Sequence, residues 1–249
     1  MGAPAQTPAG TAGGASAQAT PVAAPTPALA PGSRAAGYML VAELFLYPED
    51  RDEDAIRELR AALGDSGPAT GLIDAFLAAP RASDADEYLT VLELTPPCPL
   101  YLGAYLFEEP NSCRGAGVSD RNAYMLELKA TYRHFGFDAL QRELPDFLPL
   151  MAEFLSLTES LRARDGIGLR RRLLEQHVLP ALPKMTEGLS KYESPYVDLA
   201  RALEALVRDD LAGATEPAWQ PAPIPGDLPV FKPDAEPLPG LGAAGRGTP

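Results

Sequence analysis

Between residues 36 and 210 apolar side chains return every three or four positions, and no stretch alternates long enough to suggest a strand. "AAGYMLVAELFLYPED" runs apolar to Tyr47 and stops at Pro48, which predicts a first helix near 36–47. "DRDEDAIRELRAAL" has an acidic opening turn, sets Ile56, Leu59 and Leu63 on one face and meets Gly64, the pattern of a dipole-matched helix with a glycine stop. A short helix over 69–79 ends before Pro80, and "SDADEYLTVLEL" opens on Ser83 as N-cap with Asp86 three residues on. A brief helix near 99–107 precedes a loop through Gly117. A longer helix from about 119 to 135 is capped by Ser119 and stopped by Gly136.

"RELPDFLPLMAEFLSL", Arg142 to Leu157, is the densest apolar stretch. Pro149 would break a helix interior but is tolerated in a first turn, so Asp146 is the expected N-cap, its carboxylate accepting from unpaired N–H groups. Leu148, Met151 and Leu155 together with Phe147, Leu150 and Phe154 cover a broad face, which predicts a central, heavily buried helix. A segment over 168–190, bent or split by Pro180 and Pro183, and a helix over 195–210 opening on Pro195 complete the pattern. The expected fold is all-α, a single helical bundle of about eight to nine helices.

Composition changes the picture at the ends. Residues 1–34 are almost wholly Ala, Pro, Gly, Thr, Ser and Gln, with Arg34 the one charged side chain, and 212–249 return to that style. Such segments lack the apolar side chains that offset ordering entropy, so both are expected to be disordered tails around an all-helical domain at 35–211. The N-terminus has no cationic region followed by an apolar block. No run reaches the roughly 18 apolar residues a membrane span needs, and the expected location is the cytoplasm.

The net charge is −13, and residues 38–110 hold 15 Asp and Glu against 4 Lys and Arg. Nucleic acid requires a cationic footprint, so that partner class is excluded, whereas an acidic surface suits a basic peptide. Groups for bond chemistry are scarce. His134 and His177 read as structural, and Cys98 and Cys113 form neither a disulfide framework nor the paired spacing of a zinc site. "GAG" at 115–117 is too short for a dinucleotide fingerprint, and "RRR" at 170–172 reads as a solvated helix face. The chain is not expected to be an enzyme: no catalytic residue, no metal and no permanently bound cofactor.

"ELPDFLPLMAEFL", Glu143 to Leu155, resembles the signature of the NarJ/TorD/DmsD-like chaperones that mature molybdenum oxidoreductases. "LVAELFLYPED" at 40–50, "EYLTVLEL" at 87–94, "RNAYMLELKATYRHFGFD" at 121–138 and "ESPYVDLARAL" at 193–203 resemble further family blocks in the same order, so the likeness covers roughly 38–208. Glu93 stands where the family has an aromatic residue, and the His-Val-His-Gly run of nitrate reductase chaperones is missing. The resemblance implies an all-helical, non-catalytic protein. It would bind the N-terminal segment, a twin-arginine leader or its relic, of an apo catalytic subunit of nitrate reductase or a related enzyme of the dimethyl sulfoxide reductase superfamily. The molybdenum guanine dinucleotide cofactor belongs to that client and is inserted while the segment is held.

A cationic, apolar segment calls for apolar walls with acidic rims. The candidate walls are Leu44, Tyr47, Leu148, Met151 and Leu155, with Tyr88 and Tyr101 either lining the groove or simply packing, and Glu93, Glu108, Glu109, Glu143 and Asp146 as rim acids. Leu148, Met151 and Leu155 read more readily as plain core than as groove wall. A helical accessory subunit that stays in a mature oxidoreductase complex is the alternative function, and a weak homodimer is compatible with either.

Overall fold

The computed structural model describes residues 29–108, 120–137 and 143–222. Glu109, Cys113, the Gly115–Gly117 run, the Ser119 cap and most of both expected tails lie outside the described residues.

Helix α1 spans Pro31–Leu44, starting earlier and ending earlier than the periodicity predicts. Its early start follows from Arg34, whose guanidinium is buried and pairs with Glu159 and with Asp209 at 2.7 Å. Arg34 therefore belongs to the fold and not to a tail, because its partners lie more than a hundred residues away in sequence. Tyr47 falls beyond the helix, in the turn that leads to a 3-10 turn at Pro48–Asp50.

Helix α2, Glu53–Leu63, is capped by Asp52, which accepts from the Asp54 and Ala55 N–H groups at 2.9 and 3.0 Å. It ends at Gly64, where φ of 79° favours glycine. Helix α3 spans Pro68–Ala78. Helix α4, Ala85–Tyr88, runs on through a π-turn at Leu89–Glu93, and its cap is Asp84 in place of Ser83. Helix α5, Gly103–Leu106, is a single turn, shorter than expected. Helix α6 spans Asp120–His134 and meets Gly136, as anticipated.

Helix α7, Leu148–Thr158, carries Pro149 harmlessly in its first turn and leads into a 3-10 turn at Glu159–Arg164. Its cap position is Phe147, so Asp146 is not the N-cap; that carboxylate is drawn instead to the start of α5. Helix α8, Leu169–Arg172, continues as a π-turn over Leu173–Val178. Helices α9, Leu182–Lys191, and α10, Tyr196–Ala212, follow. The expected split near Pro180 is present, with Pro183 in the first turn of α9. Among the described residues there is no strand, and the one extended feature is an isolated bridge between Tyr101 and Phe147.

The core forms where α1 packs against α2, α7 and α10, and where α10 also packs against α3 and α9. Tyr196, fully buried at the start of α10, gathers Phe45, Phe76 and Tyr88 within 5.1–6.0 Å of its ring and accepts a hydrogen bond from Arg51 at 2.6 Å. At the other end of α10, Arg34, Arg162 and Arg170 interlock with Glu159, Asp209 and Asp210. Three cations meet three anions, so the burial is electrically balanced.

Arg170 is 3% exposed and donates to Glu159 at 3.0 Å and to Asp210 at 2.6 Å. The three-arginine run is therefore not a solvated face: its first member is core, and Arg172 pairs with Glu127 on α6. Residues 213–222 do not leave the bundle either. They turn back along α8, where the Trp219 N–H donates to the Gly168 carbonyl at 3.1 Å, so the segment just after 212 is not the free tail that composition suggests.

Candidate functional site

Two loops are stitched together on one side of the bundle. The Leu102 N–H donates to the Asp146 carbonyl at 2.9 Å and the Leu148 N–H to the Leu100 carbonyl at 2.8 Å. This sets the Tyr101 and Phe147 rings 5.4 Å apart. The Tyr101 hydroxyl donates to Glu143 at 3.0 Å. Beside them the Tyr47 ring meets Tyr88 edge-on at 5.5 Å, and the Tyr88 hydroxyl donates to the Phe45 carbonyl at 3.2 Å.

Glu93, exposed at the end of the π-turn, links the two groups electrostatically. Burial first, then Glu143 with smaller contributions from Asp146 and Glu93, pushes the Tyr101 hydroxyl up to about 12. Partial burial and the charges of Glu49, Asp50, Asp86 and Glu93 raise Tyr47. Tyr88 is raised by burial and by Glu93. A negative field therefore covers the tyrosines. Phe147 and Leu150 are half-buried, and Leu94 and Leu144, next in sequence to Glu93 and Glu143, project into solvent at 67% and 48% exposure. The result is an aromatic and aliphatic surface within an acidic field, able to receive a chain that carries both apolar and cationic groups.

Of the residues expected from the sequence, Tyr47, Glu93, Tyr101 and Glu143 come together here, whereas Tyr88, 2% exposed, packs beneath Tyr47 as core and does not line a groove. Leu44, Leu148, Met151 and Leu155 do not line an open wall: each is at most 1% exposed, in the core beneath. They point inward because α1 and α7 pack against each other across that face. Glu108 is exposed at the far end of α5, around a shallow recess with Tyr105 and Lys184. Leu94, Leu144, Phe147 and Leu150 were not anticipated as surface. Leu144 had a signal: it precedes Pro145, which disfavours helix, so it had no helical face on which to be buried.

Asp146 is wholly buried and so cannot serve as an exposed rim acid. One carboxylate oxygen accepts from the Gly103 N–H at 3.0 Å, and the Arg121 guanidinium stands 3.9 Å away. The other oxygen has no partner, nor does the buried hydroxyl of Tyr124. Burial pushes the Asp146 carboxyl up, against the lowering effect of the Gly103 bond and Arg121. Gly103 has no alternative here, since a Cβ would lie 2.6 Å from the Asp146 carboxylate.

The histidines are structural. His177 lies 3.0 Å from Glu127 and edge-on to Tyr124 at 5.0 Å, while His134 rests against Phe135 at 5.2 Å. Among the described residues no cluster of His, Cys, Asp and Glu could hold a metal ion, and no helix is long and apolar enough to cross a membrane.

Residues 49–187 match the nitrate reductase delta subunit family, and the chain belongs to that family. Among curated relatives, it is 33% identical over 102 residues to the probable nitrate reductase molybdenum cofactor assembly chaperone NarJ of Bacillus subtilis. That match covers 39% of this chain and 51% of the relative, so the chain spans about half that protein's length. It is 27% identical over 177 residues to the probable nitrate reductase molybdenum cofactor assembly chaperone NarW of Escherichia coli, covering 70% of this chain and 68% of the relative. It is 31% identical over 191 residues to a chlorate reductase assembly chaperone protein of Ideonella dechloratans, covering 71% and 87%.

Proposed function

We propose that the protein is a non-catalytic chaperone for assembly of a molybdenum oxidoreductase of the nitrate or chlorate reductase type. It holds the N-terminal segment of the apo catalytic subunit on the tyrosine and acid face while the molybdenum cofactor, which stays with the client, is inserted. Family membership supports the chaperone role. The observation that carries the binding reading is the face itself: Glu93 within electrostatic reach of Tyr47 and Tyr101, with Glu143 holding the Tyr101 hydroxyl.

Apolar contact with Leu94, Leu144, Phe147 and Leu150 would supply most of the affinity. Each exposed carboxylate contributes up to ~1 kcal/mol and mainly orients the incoming chain. The cations of a leader-like segment match the acids, and its apolar residues match the leucines and rings.

Calorimetric titration with a synthetic N-terminal peptide of the partner reductase tests this reading. Binding at micromolar or tighter concentration is expected, weakening as salt rises, and Glu93→Lys combined with Glu143→Lys should weaken it about tenfold without lowering the melting temperature. Absence of heat at low salt, or binding unchanged by the double reversal, would remove the face from consideration.

A further inference from the structure

The segment after α10 is seated in a groove of its own. Its carbonyls at Glu216 and Trp219 accept from Arg171 at 2.8 Å and from Arg172 at 3.3 Å. Its Trp219 N–H donates to the Gly168 carbonyl at 3.1 Å, and the Trp219 ring lies 5.3 Å from the Arg172 guanidinium. The Pro217 carbonyl occupies the place a side chain at residue 168 would take: a Cβ there would stand 1.9 Å from it, and φ at Gly168 is 71°. Glycine at this position lets another stretch of main chain lie directly against the backbone.

Two properties of this groove matter. First, its donors are held from behind by other parts of the protein. Arg172 is fixed by Glu127 on α6, with one contact at 3.1 Å, and Arg171 by Glu175 in the following π-turn at 2.7 Å. The groove is therefore preorganised whether or not residues 213–222 occupy it. Second, its hydrogen bonds to the strap all go to main-chain atoms, and the one side chain it engages is an aromatic ring over a cation. Such a site reads an extended backbone plus one aromatic residue, and tolerates most sequences otherwise. Beneath the strap, a cleft of about 190 Å³ lined by Arg162, Asp165, Arg170 and Asp210 leaves the buried Nε of Arg170 without a partner.

We propose that Gly168, Arg171 and Arg172 form a peptide-docking groove, separate from the tyrosine face, for which residues 213–222 serve as a displaceable internal ligand. The external partner is an extended segment of another polypeptide that carries an aromatic residue. When it displaces the strap, its ring takes the place over Arg172 and its carbonyls take the arginine donors. Few contacts oppose the ordering of ten strap residues, so exchange requires no rearrangement of the bundle.

Trp219 is the chain's single tryptophan, which makes the test direct. In the full chain its emission should be blue-shifted and partly shielded from acrylamide. Replacing it, Trp219→Ala, unlatches the strap and leaves the protein without tryptophan. A synthetic peptide with the sequence of residues 214–222, ATEPAWQPA, should then bind that variant saturably, with blue-shifted emission and raised anisotropy. The same peptide with alanine for its tryptophan should fail to compete, and adding Gly168→Ala to the protein should abolish binding. Peptide emission unchanged up to millimolar protein would overturn the proposal, as would a fully solvent-exposed Trp219 in the native chain. The native measurement needs no variant and stands even where Gly168→Ala fails to fold.

Discussion

Replacing Asp146 by asparagine should stabilise the protein at neutral pH, although the residue stands within the span that matches the family. The carboxylate is wholly buried, receives one N–H bond from Gly103 at 3.0 Å, has Arg121 no closer than 3.9 Å and leaves one oxygen bare. Burial raises its folded pKa above the unfolded value of about 3.9. The folded state thus binds the proton more tightly than the unfolded state. The associated stability is fully present below the unfolded pKa and is lost as pH rises through the folded one.

A tenfold difference in proton affinity between the two states is worth about 1.4 kcal/mol. At pH 7 the wild type therefore carries a desolvation penalty that a neutral amide avoids, while the amide oxygen keeps the Gly103 bond. Asp146→Asn should raise the melting temperature at pH 7, with the advantage shrinking as pH falls toward about 4. Asp146→Ala, which strands the buried Gly103 N–H, should cost about 1–3 kcal/mol. Urea unfolding of all three proteins across that pH range is the assay. An asparagine variant less stable than wild type at pH 7, or a difference independent of pH, would refute the reasoning.

Other outcomes follow from the same geometry. Gly103→Ala should cost about 1–3 kcal/mol by crowding the Asp146 carboxylate, and the cost should fall when combined with Asp146→Ala, a coupling visible in a double-mutant cycle. Arg170→Met should destabilise by about 3–5 kcal/mol in urea, because Glu159 and Asp210 lose a buried partner. Arg171→Lys should change global stability by less than about 0.5 kcal/mol, since that side chain reaches surface partners. Tyr196→Phe should cost about 1 kcal/mol through the lost Arg51 bond, with the aromatic packing retained.

The helices were legible because proline and glycine punctuate an unbroken helical period, as at Pro48, Gly64, Gly136 and Pro180. What misled was locality. Asp146 sits at the right spacing before Pro149 to be an N-cap, but its carboxylate is taken by Gly103, 43 residues away. Arg34 looked like part of a tail because its neighbours are Ala, Gly and Ser, whereas Glu159 lies 125 residues on. The arginine run looked solvated for the same reason. At the candidate site, Tyr47, Glu93, Tyr101 and Glu143 share one side of the bundle, but Tyr88 and Asp146 are buried, and the sequence did not separate wall from core. Leu148, Met151 and Leu155 have the same periodicity as groove residues would, and what separates the two is which side another helix covers.

The π-turn that follows α4 decides on which side of the bundle its last acid and the leucine after it stand. The Leu94 N–H reaches back five residues to the Leu89 carbonyl, at 2.7 Å, one residue further than an α-helix would. That extra residue rotates everything after it by about 100° around the helix axis. Deleting Thr90 should restore an ordinary helix and swing Glu93 and Leu94 away from Tyr47 and Tyr101, leaving the bundle intact but its outer acid and leucine on a different side.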